Sequence, residues 1–236
     1  MEKRNLLYEG KAKKLWATDH ENKVVQQFKD SLTAQNGQKT GSFHGKGAIN
    51  CEMSTLLFNY LDSHHIPTHF IESVSETEMV VRKLEMFPME VVVRNIAAGS
   101  MCKRYNIAEG NELSSVVLEY YYKSDALGDP MMNESHALSF GFATIDQIRA
   151  INRMATKINA LLRSHFERRN LMLVDMKLEF GKYDEEVYLA DEISPDTMRV
   201  WEKNTKVKLD KDRFRLDLGE IDKGYREILK RIKNEG

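Results

Sequence analysis

The segment LVDMKLEFG alternates polar and apolar residues in the way that a half-buried β-strand does. In such a strand Asp175, Lys177 and Glu179 share one face, and the apolar residues between them pack on the other. Asp175 and Glu179 are then about 13 Å apart, which is too far for both to bind one metal ion. The pattern predicts carboxylates at opposite ends of an extended cleft, with the Lys177 ammonium between them where negative charges of two ligands meet. A solvated strand face is the alternative.

The segment LADEISPDTMR places a second group of carboxylates where the next predicted strand ends. Mg²⁺ is usually held by one or two carboxylates together with substrate phosphates, so Glu179 and Asp191 are predicted to be its ligands. Directly opposed residues of paired strands share a face. Asp191 is therefore expected to pair with an odd-numbered residue such as Lys177, and its location on the face of Met176 would exclude a shared ion.

The segment YEGKAKKLW places two lysines after a glycine and between two predicted strands. If the backbone is extended there, Lys11 and Lys13 lie on one face about 6.6 Å apart, close to the spacing of neighbouring phosphates. The alternative is a β-turn at Gly10 with solvated lysines.

The segment VVVRNIAAGS places Arg94 at a strand end and Ser100 at a turn that leads into a helix. Guanidinium groups, hydroxyls and the backbone N–H groups of such turns bind phosphate, and Arg199 could supply a second guanidinium. An ordinary helix cap with a surface arginine is the alternative. The loop in YYKSDALGDP, with Lys123, Asp125 and Asp129, follows another strand and is a candidate ligand wall.

Apolar periodicity predicts the elements that position these residues. The predicted strands are 6–8, 13–17, 24–28, 69–73, 79–84, 90–96, 116–122, 171–180 and 186–190. Helices are predicted from residue 49 to before Pro67, within 97–105, from the Thr144 capping box to Phe166, and over 221–232. Four glycines within residues 37–47 predict a mobile loop. The pattern indicates an α+β fold with a β-rich N-terminal lobe (1–84), an α+β C-terminal lobe (85–236) and a hinge near residues 84–88.

Composition excludes several classes of function. The 236 residues carry a net charge of −1, so a general nucleic-acid or anionic-membrane partner is not expected. No apolar run approaches the roughly 20 residues of a membrane-spanning helix, and the start of the chain is not typical of a secretory signal. Cys51 and Cys102 are too few for a disulfide scaffold or a four-thiolate metal site. A cytoplasmic protein is expected.

Eight segments together resemble one enzyme family in order and over nearly the whole chain. They are YEGKAK, FKDSLTAQNG, GKGAIN, EVVVRNIAAGS, YYKSDALGDP, LVDMKLEFG, LADEISPDTMRVW and LDKDRFR. The family is phosphoribosylaminoimidazole-succinocarboxamide synthase (SAICAR synthetase), and VVVRNIAAGS and LADEISPD are its most specific motifs. The sequence departs from the family at Gln35, where an aromatic residue is more usual, and at Trp16.

The resemblance implies a fold related to ATP-grasp and kinase-like nucleotide-binding lobes. It also implies a homodimer that ligates L-aspartate to carboxyaminoimidazole ribotide (CAIR) with ATP and Mg²⁺. Carried over motif by motif, the residues that contact ATP are Gly10, Lys11, Ala12, Lys13, Met86, Lys123, Glu179 and Asp191, the last two also as metal ligands. The ribotide contacts are Arg94, Ser100, Arg199, Asp129, Asp175 and Lys177, of which Asp175 and Lys177 are the catalytic candidates.

The residues also indicate the chemical route. With no activated cysteine or serine evident, phosphate goes most simply onto the substrate carboxylate, and the amine then attacks the acyl phosphate. A small-molecule kinase would use the same lysines, glycines and acidic pair, and aspartate-dependent ADP release separates the two functions. A non-catalytic nucleotide-binding protein is a third alternative, but it would be expected to have lost at least one of Lys177, Glu179 and Asp191.

Overall fold

Two open antiparallel sheets and a separate hairpin contain all the strands that the structure, a computed structural model, describes over residues 2–34 and 37–234. The strands are β1 (Lys3–Glu9), β2 (Lys13–Thr18), β3 (Lys23–Phe28), β4 (Ser31–Ala34), β5 (Lys39–Ser42), β6 (Phe70–Ser75), β7 (Glu78–Arg82), β8 (Glu85–Ile96), β9 (Glu112–Tyr122), β10 (Met131–Met132), β11 (Leu171–Tyr183), β12 (Glu186–Ala190) and β13 (Met198–Glu202). The helices are α1 (Lys46–Ser63), α2 (Ser100–Tyr105), α3 (Glu134–Ser139), α4 (Ile145–Glu167), α5 (Asp212–Arg215) and α6 (Ile221–Lys233), with a 3₁₀ turn at Asp125–Leu127. The predicted α+β class is confirmed.

Strand β11 organises the second sheet. The first sheet has the order β1-β2-β3-β7-β6, and the second has the order β10-β9-β8-β11-β12. One edge of β11 pairs with β8, and its other edge pairs with β13 in the first half and with β12 in the second half. Every residue that β11 presents to a cleft is therefore held by hydrogen-bonded neighbours.

One continuous apolar core joins the two sheets to α1, α4 and α6. Helix α4 begins at the predicted capping box, in which the Gln147 N–H donates to Thr144 Oγ1 and the Thr144 N–H donates to Gln147 Oε1. The buried stripe of α4 shares this core with Met176, Leu178 and Phe180 of β11. Because side chains alternate along a strand, the polar residues of β11 face away from α4.

The glycine-rich segment 37–47 is a loop only in part. Gly37 and Gly45 lie in turns, whereas residues 39–42 and 46–47 belong to a strand and a helix, so the predicted loop is wrong at those residues. Gly41 lies in β5, which pairs with β4, and Gly47 lies in the first turn of α1. A Cβ atom at Gly41 would come within 2.9 Å of the Phe214 ring, and one at Gly47 within 2.8 Å of the Phe28 carbonyl oxygen. These glycines allow close packing rather than mobility. Gln35 lies outside the described residues.

The chain passes from the first sheet to the second between Arg82 and Glu85. The predicted lobe boundary after Leu84 falls at this passage, whereas residues 85–88 are already the start of β8. The two lobes and their hinge stay predictions. Apart from β5, which lies where a loop was predicted, five short elements were not predicted, namely β4, β10, β13, α3 and α5, because two to six residues are too few to show a period. No helix among residues 2–34 and 37–234 has both the length and the apolar character needed to cross a membrane.

We expect Gly47→Ala to lower the free energy of unfolding by about 1–3 kcal/mol, because the added methyl group overlaps the Phe28 carbonyl oxygen. Without that contact, alanine would be favoured inside a helix by about 1 kcal/mol. Urea denaturation measures the change. Arg153→Ala, at an exposed position of α4, is the control and should shift stability by less than about 0.5 kcal/mol. A Gly47→Ala protein as stable as the parent contradicts the packing role.

Candidate active site

Three adjoining cavities form one cleft between the two sheets. The central cavity, of about 620 Å³, adjoins an apolar cavity of about 350 Å³, and Lys13 and Asp191 line both. It also adjoins an arginine cavity of about 130 Å³, and Lys177 and Thr197 line both of these. The apolar cavity is lined by Leu7, Tyr8, Leu15, Val24, Val81 and Met86, among others. The cleft thus changes from apolar through mixed charge to cationic along its length.

Lys177 lies at the middle of this cleft, on the polar face of β11. Its Nζ atom is 2.9 Å from Glu90 Oε1, 2.5 Å from Glu179 Oε1 and 3.8 Å from Asp191 Oδ2. Burial would lower the pKa of Lys177, but the surrounding carboxylates raise it well above the usual lysine value. Lys177 is therefore a permanent cation.

Two further lysines neutralise the same carboxylates. Lys123 Nζ lies 2.5 Å from Glu179 Oε2. Lys13 Nζ donates to Asp191 Oδ1 and lies 3.0 Å from Glu192 Oε1. Burial alone would raise the pKa of Asp191, but Lys13 and Lys177 hold it below its usual range. The predicted nucleotide-site residues Lys13, Lys123, Glu179 and Asp191 are thus brought together, with ammonium groups that phosphate oxygens can also accept from.

Asp191 reaches this position by a route that the sequence did not predict. Glu179 pairs with Ala190, so the β11–β12 register opposes odd to even residues, and the predicted odd-to-odd pairing of Asp191 is wrong. Asp191 lies one residue beyond β12 and has a φ of 64°, which departs from extended geometry and directs its carboxylate to Lys13. Gln26 Nε2 donates to the Asp191 carbonyl oxygen at 3.1 Å and holds the turn. The contact with Lys177 is therefore made despite the register.

The donor set at Glu179 and Asp191 fits Mg²⁺ bound together with phosphate. Both residues supply carboxylate oxygens, which hard cations prefer, and both contact Lys177. Among the residues described, no group of three or more His, Cys, Asp or Glu side chains is arranged to hold a metal ion. Two carboxylates alone leave most of an octahedral shell to be filled by phosphate oxygens and water.

The arginine cavity contains a buried carboxylate between two guanidinium groups. Asp175 Oδ2 accepts from Arg94 Nη1 at 2.7 Å and from Arg199 Nη1 at 2.8 Å. Ser100 Oγ lies 3.4 Å from Arg94 Nη2. Gly99 has a φ of 58°, and a Cβ atom there would lie 2.4 Å from Arg199 Nη2, so this turn needs glycine. The predicted residues Arg94, Ser100, Asp175 and Arg199 form one cluster with the chemistry of a phosphate site.

The β1–β2 hairpin and the loop after β9 close the cleft from opposite sides. Lys11 Nζ, in the hairpin, lies 2.6 Å from Asp125 Oδ1 in the loop. Gly10, Ala12 and Met86 also line the central cavity, as the nucleotide assignment requires. Asp129 Oδ1 accepts the Ser124 N–H at 2.8 Å. Asp129 lines the central cavity with Lys177 and not the arginine cavity, so it lies apart from Arg94, Asp175 and Arg199.

The cleft residues that the sequence reasoning missed include four charged ones. Glu90 lies directly opposite Glu179 in the β8–β11 register, a pairing that no local pattern reveals. Glu192 follows Asp191 in LADEISPD, and its Oε1 atom lies 3.0 Å from Lys13 Nζ. Lys211 and Arg215 belong to LDKDRFR and line the central and arginine cavities, respectively. The charged residues of LDKDRFR were the signal that could have identified Lys211 and Arg215.

Comparison with known proteins decides the family. The family model described as SAICAR synthetase matches residues 6–232. This chain belongs to the SAICAR synthetase family. It is 54% identical to phosphoribosylaminoimidazole-succinocarboxamide synthase of Desulfitobacterium hafniense, over 99% of this chain and 98% of that protein.

Two solved structures of the family resemble the fold closely. The enzyme of Ehrlichia chaffeensis superposes with a TM-score of 0.96 at 43% identity, over 98% of this chain and all of that one. A SAICAR synthetase in complex with ADP gives a TM-score of 0.94 at 45% identity, over 98% of each chain. The family expectation is confirmed, and this enzyme is a ligase of purine biosynthesis. Family membership does not favour the small-molecule kinase alternative.

The wall of the apolar cavity contains a buried histidine. His69 is 4% exposed and packs edge-on against Phe58, with ring centroids 5.3 Å apart. Its Nε2 atom has no hydrogen-bond partner among the described residues. Burial lowers the pKa of His69 to about 3, so the ring is neutral at pH 7.

This histidine should make the protein less stable in acid. The folded pKa lies below the usual value of 6.5, so the unfolded state binds more protons and stability falls as the pH drops through 6.5. Between pH 7 and pH 5 the loss from His69 is about 2 kcal/mol. We expect His69→Gln to remove that part of the pH dependence in urea unfolding, with exposed His20→Gln as the control. An unchanged slope in His69→Gln would contradict a neutral buried ring.

Proposed function

We propose that this enzyme ligates L-aspartate to CAIR with ATP, forming SAICAR, ADP and phosphate in de novo purine biosynthesis. The observation that carries the proposal is the order of the three cavities. A purine base needs apolar walls, the phosphoryl transfer needs a charged centre, and a ribotide needs a phosphate site. The ADP complex of the 45% identical relative supports the nucleotide assignment.

The nucleotide would lie with its base in the apolar cavity and its phosphates in the central cavity. Lys11, Lys13 and Lys123 would contact the phosphates, beside the backbone of Gly10 and Ala12. Met86 lines both cavities and would contact the base. Glu179 and Asp191 would hold Mg²⁺ with the phosphates, where the ion supplies positive charge against the developing negative charge of the transferred group.

The ribotide would extend from the arginine cavity to Lys177. Arg94, Arg199 and Ser100 would bind its phosphate. Lys177 is two residues from Asp175 along β11, a rise of about 6.6 Å. The substrate carboxylate would therefore lie against the Lys177 ammonium, with Asp175 and Asp129 at the sides.

Activation would proceed on the substrate itself. A carboxylate oxygen of CAIR attacks the γ-phosphorus of ATP, the bond to ADP breaks, and an acyl phosphate forms. The aspartate amine then attacks the carbonyl carbon, loses a proton, and expels phosphate with the former carboxylate oxygen. Neither cysteine lines the cleft, and burial raises the pKa of Cys51 to about 12, so no thiol nucleophile competes for the acyl group. Lys177 would stabilise the negative charge in both steps.

A homodimer in the cytoplasm belongs to the same proposal. The homodimer rests on the family resemblance. The two free thiols, Cys51 and Cys102, suit a reducing compartment.

The proposed reaction predicts that ADP release needs both other substrates. In a coupled assay with ATP and Mg²⁺, we expect full turnover only when CAIR and L-aspartate are both present. Omission of either should bring the steady rate close to background. Sustained ADP release with CAIR but without aspartate would instead identify a kinase.

The central cation should be needed for turnover. We expect Lys177→Ala to lower kcat by roughly 10² or more, because one preorganised charge at the reacting centre is lost. Lys182→Ala is the matched control, since Lys182 is also on β11 but pairs with Glu85 outside the cleft. Near-normal steady-state turnover of Lys177→Ala would count against the role of Lys177.

A further inference from the structure

One lysine of the central cavity lacks a close carboxylate partner. Five lysines line this cavity, and four have a carboxylate oxygen within 3.0 Å: Lys11, Lys13, Lys123 and Lys177. The fifth, Lys211, has no side-chain hydrogen bond within the described part of the chain, and its nearest carboxylate oxygen is Asp196 Oδ1 at 3.8 Å. The Lys211 side chain is 13% exposed, so hydrogen bonds to water make up only part of what a close carboxylate partner would supply.

Asp196 is already occupied by other partners. Its Oδ2 atom accepts from Lys46 at 2.6 Å and from Asn50 at 3.1 Å. Its Oδ1 atom accepts from the Tyr225 hydroxyl at 2.7 Å. Burial lowers the pKa of Lys211, and the nearby cations Arg215 and Lys46 oppose the raising effect of Asp196. Among the described residues, Lys211 therefore lines the cleft without a carboxylate of its own at hydrogen-bond distance.

The backbone places Lys211 beside the reacting centre. Its N–H donates to the Pro195 carbonyl oxygen at 3.2 Å. Two residues further on, the Thr197 carbonyl oxygen accepts the Lys177 N–H at 2.8 Å. Lys211 lines the central cavity and not the arginine cavity, which Arg215 lines instead. The ammonium thus lies in the central cavity near Asp196, which, like Lys177, lines both the central and the arginine cavities.

We propose that Lys211 binds a carboxylate of the incoming amino acid, L-aspartate. This inference rests on the proposed function. The nucleotide and ribotide phosphates have their own cations, whereas the third substrate brings two carboxylates that need at least one more. An ion pair with Lys211 would hold the substrate amine next to the carbonyl carbon that lies against Lys177, which raises the effective concentration of the nucleophile.

The test compares substrate constants in Lys211→Met. A lost partly buried ion pair should raise the KM for L-aspartate about 10- to 100-fold. Succinate, which has both carboxylates but no amine, should inhibit in competition with aspartate, and its Ki should rise by a similar factor. The KM values for ATP and CAIR should change by less than about twofold. Lys211→Arg keeps the charge and should recover most of the affinity for succinate.

Lys203→Met is the matched control, because Lys203 pairs with Glu167 and lines none of the three cleft cavities. An unchanged Ki for succinate in Lys211→Met would overturn the inference, and so would an equal rise in the KM for CAIR. ADP binding measured by thermal shift shows whether Lys211→Met is folded. If it is not folded, the affinity of Lys211→Arg for succinate decides the inference instead. If the parent enzyme shows no aspartate-dependent turnover, the proposed function fails; if only the variant pattern fails, the proposed function stands.

Discussion

A lysine that is partly shielded from water in a cleft needs counter-charge, and in this enzyme that requirement organises the cleft around Lys177. Its ammonium contacts Glu90 from β8, Glu179 from its own strand and Asp191 from the turn after β12. The Lys177 side chain keeps 28% of its exposure, and the three converging carboxylates offset the hydration that it loses. Asp191 and Glu179 also contact Lys13 and Lys123, and together these groups form a network of alternating charge. Phosphate oxygens can replace the carboxylates as partners of these lysines, so that a bound phosphate does not bury uncompensated charge.

The backbone and the apolar core support this charge network from the face of β11 that points away from the cleft. The apolar residues of β11 pack against α4, and both edges of β11 are paired, so the backbone positions of its polar residues are fixed relative to one another. Asp175, Lys177 and Glu179 then mark three points along one rigid strand. Asp175 contacts two arginines. Under the proposed function, Lys177 would lie at the reacting centre and Glu179 on the nucleotide side. A single strand would thereby fix the spacing of two ligands.

Local patterns in the sequence revealed much of this site. Alternation in LVDMKLEFG correctly placed three polar residues on one face, and the capping box correctly placed the start of α4. Two features depended on tertiary contacts that no local pattern contains. Asp191 lies one residue beyond β12 in a left-handed conformation and so contacts Lys177, although the strand register would direct its side chain to the other face of the sheet. Glu90 was missed because its position depends on which distant strand pairs with β11. Likewise, the glycines at 41 and 47 predict mobility until Phe214 and Phe28 are seen against them.

The central claim is that the ribotide carboxylate and the terminal phosphate of ATP meet at Lys177, and that the carboxylate becomes the acyl phosphate. Labelling both carboxylate oxygens of CAIR with ¹⁸O tests this directly. Mass spectrometry of the released phosphate should find one labelled oxygen per turnover, because the former carboxylate oxygen leaves with phosphorus. Phosphate without label, with one heavy oxygen in the product amide and the other lost to water, would contradict the account.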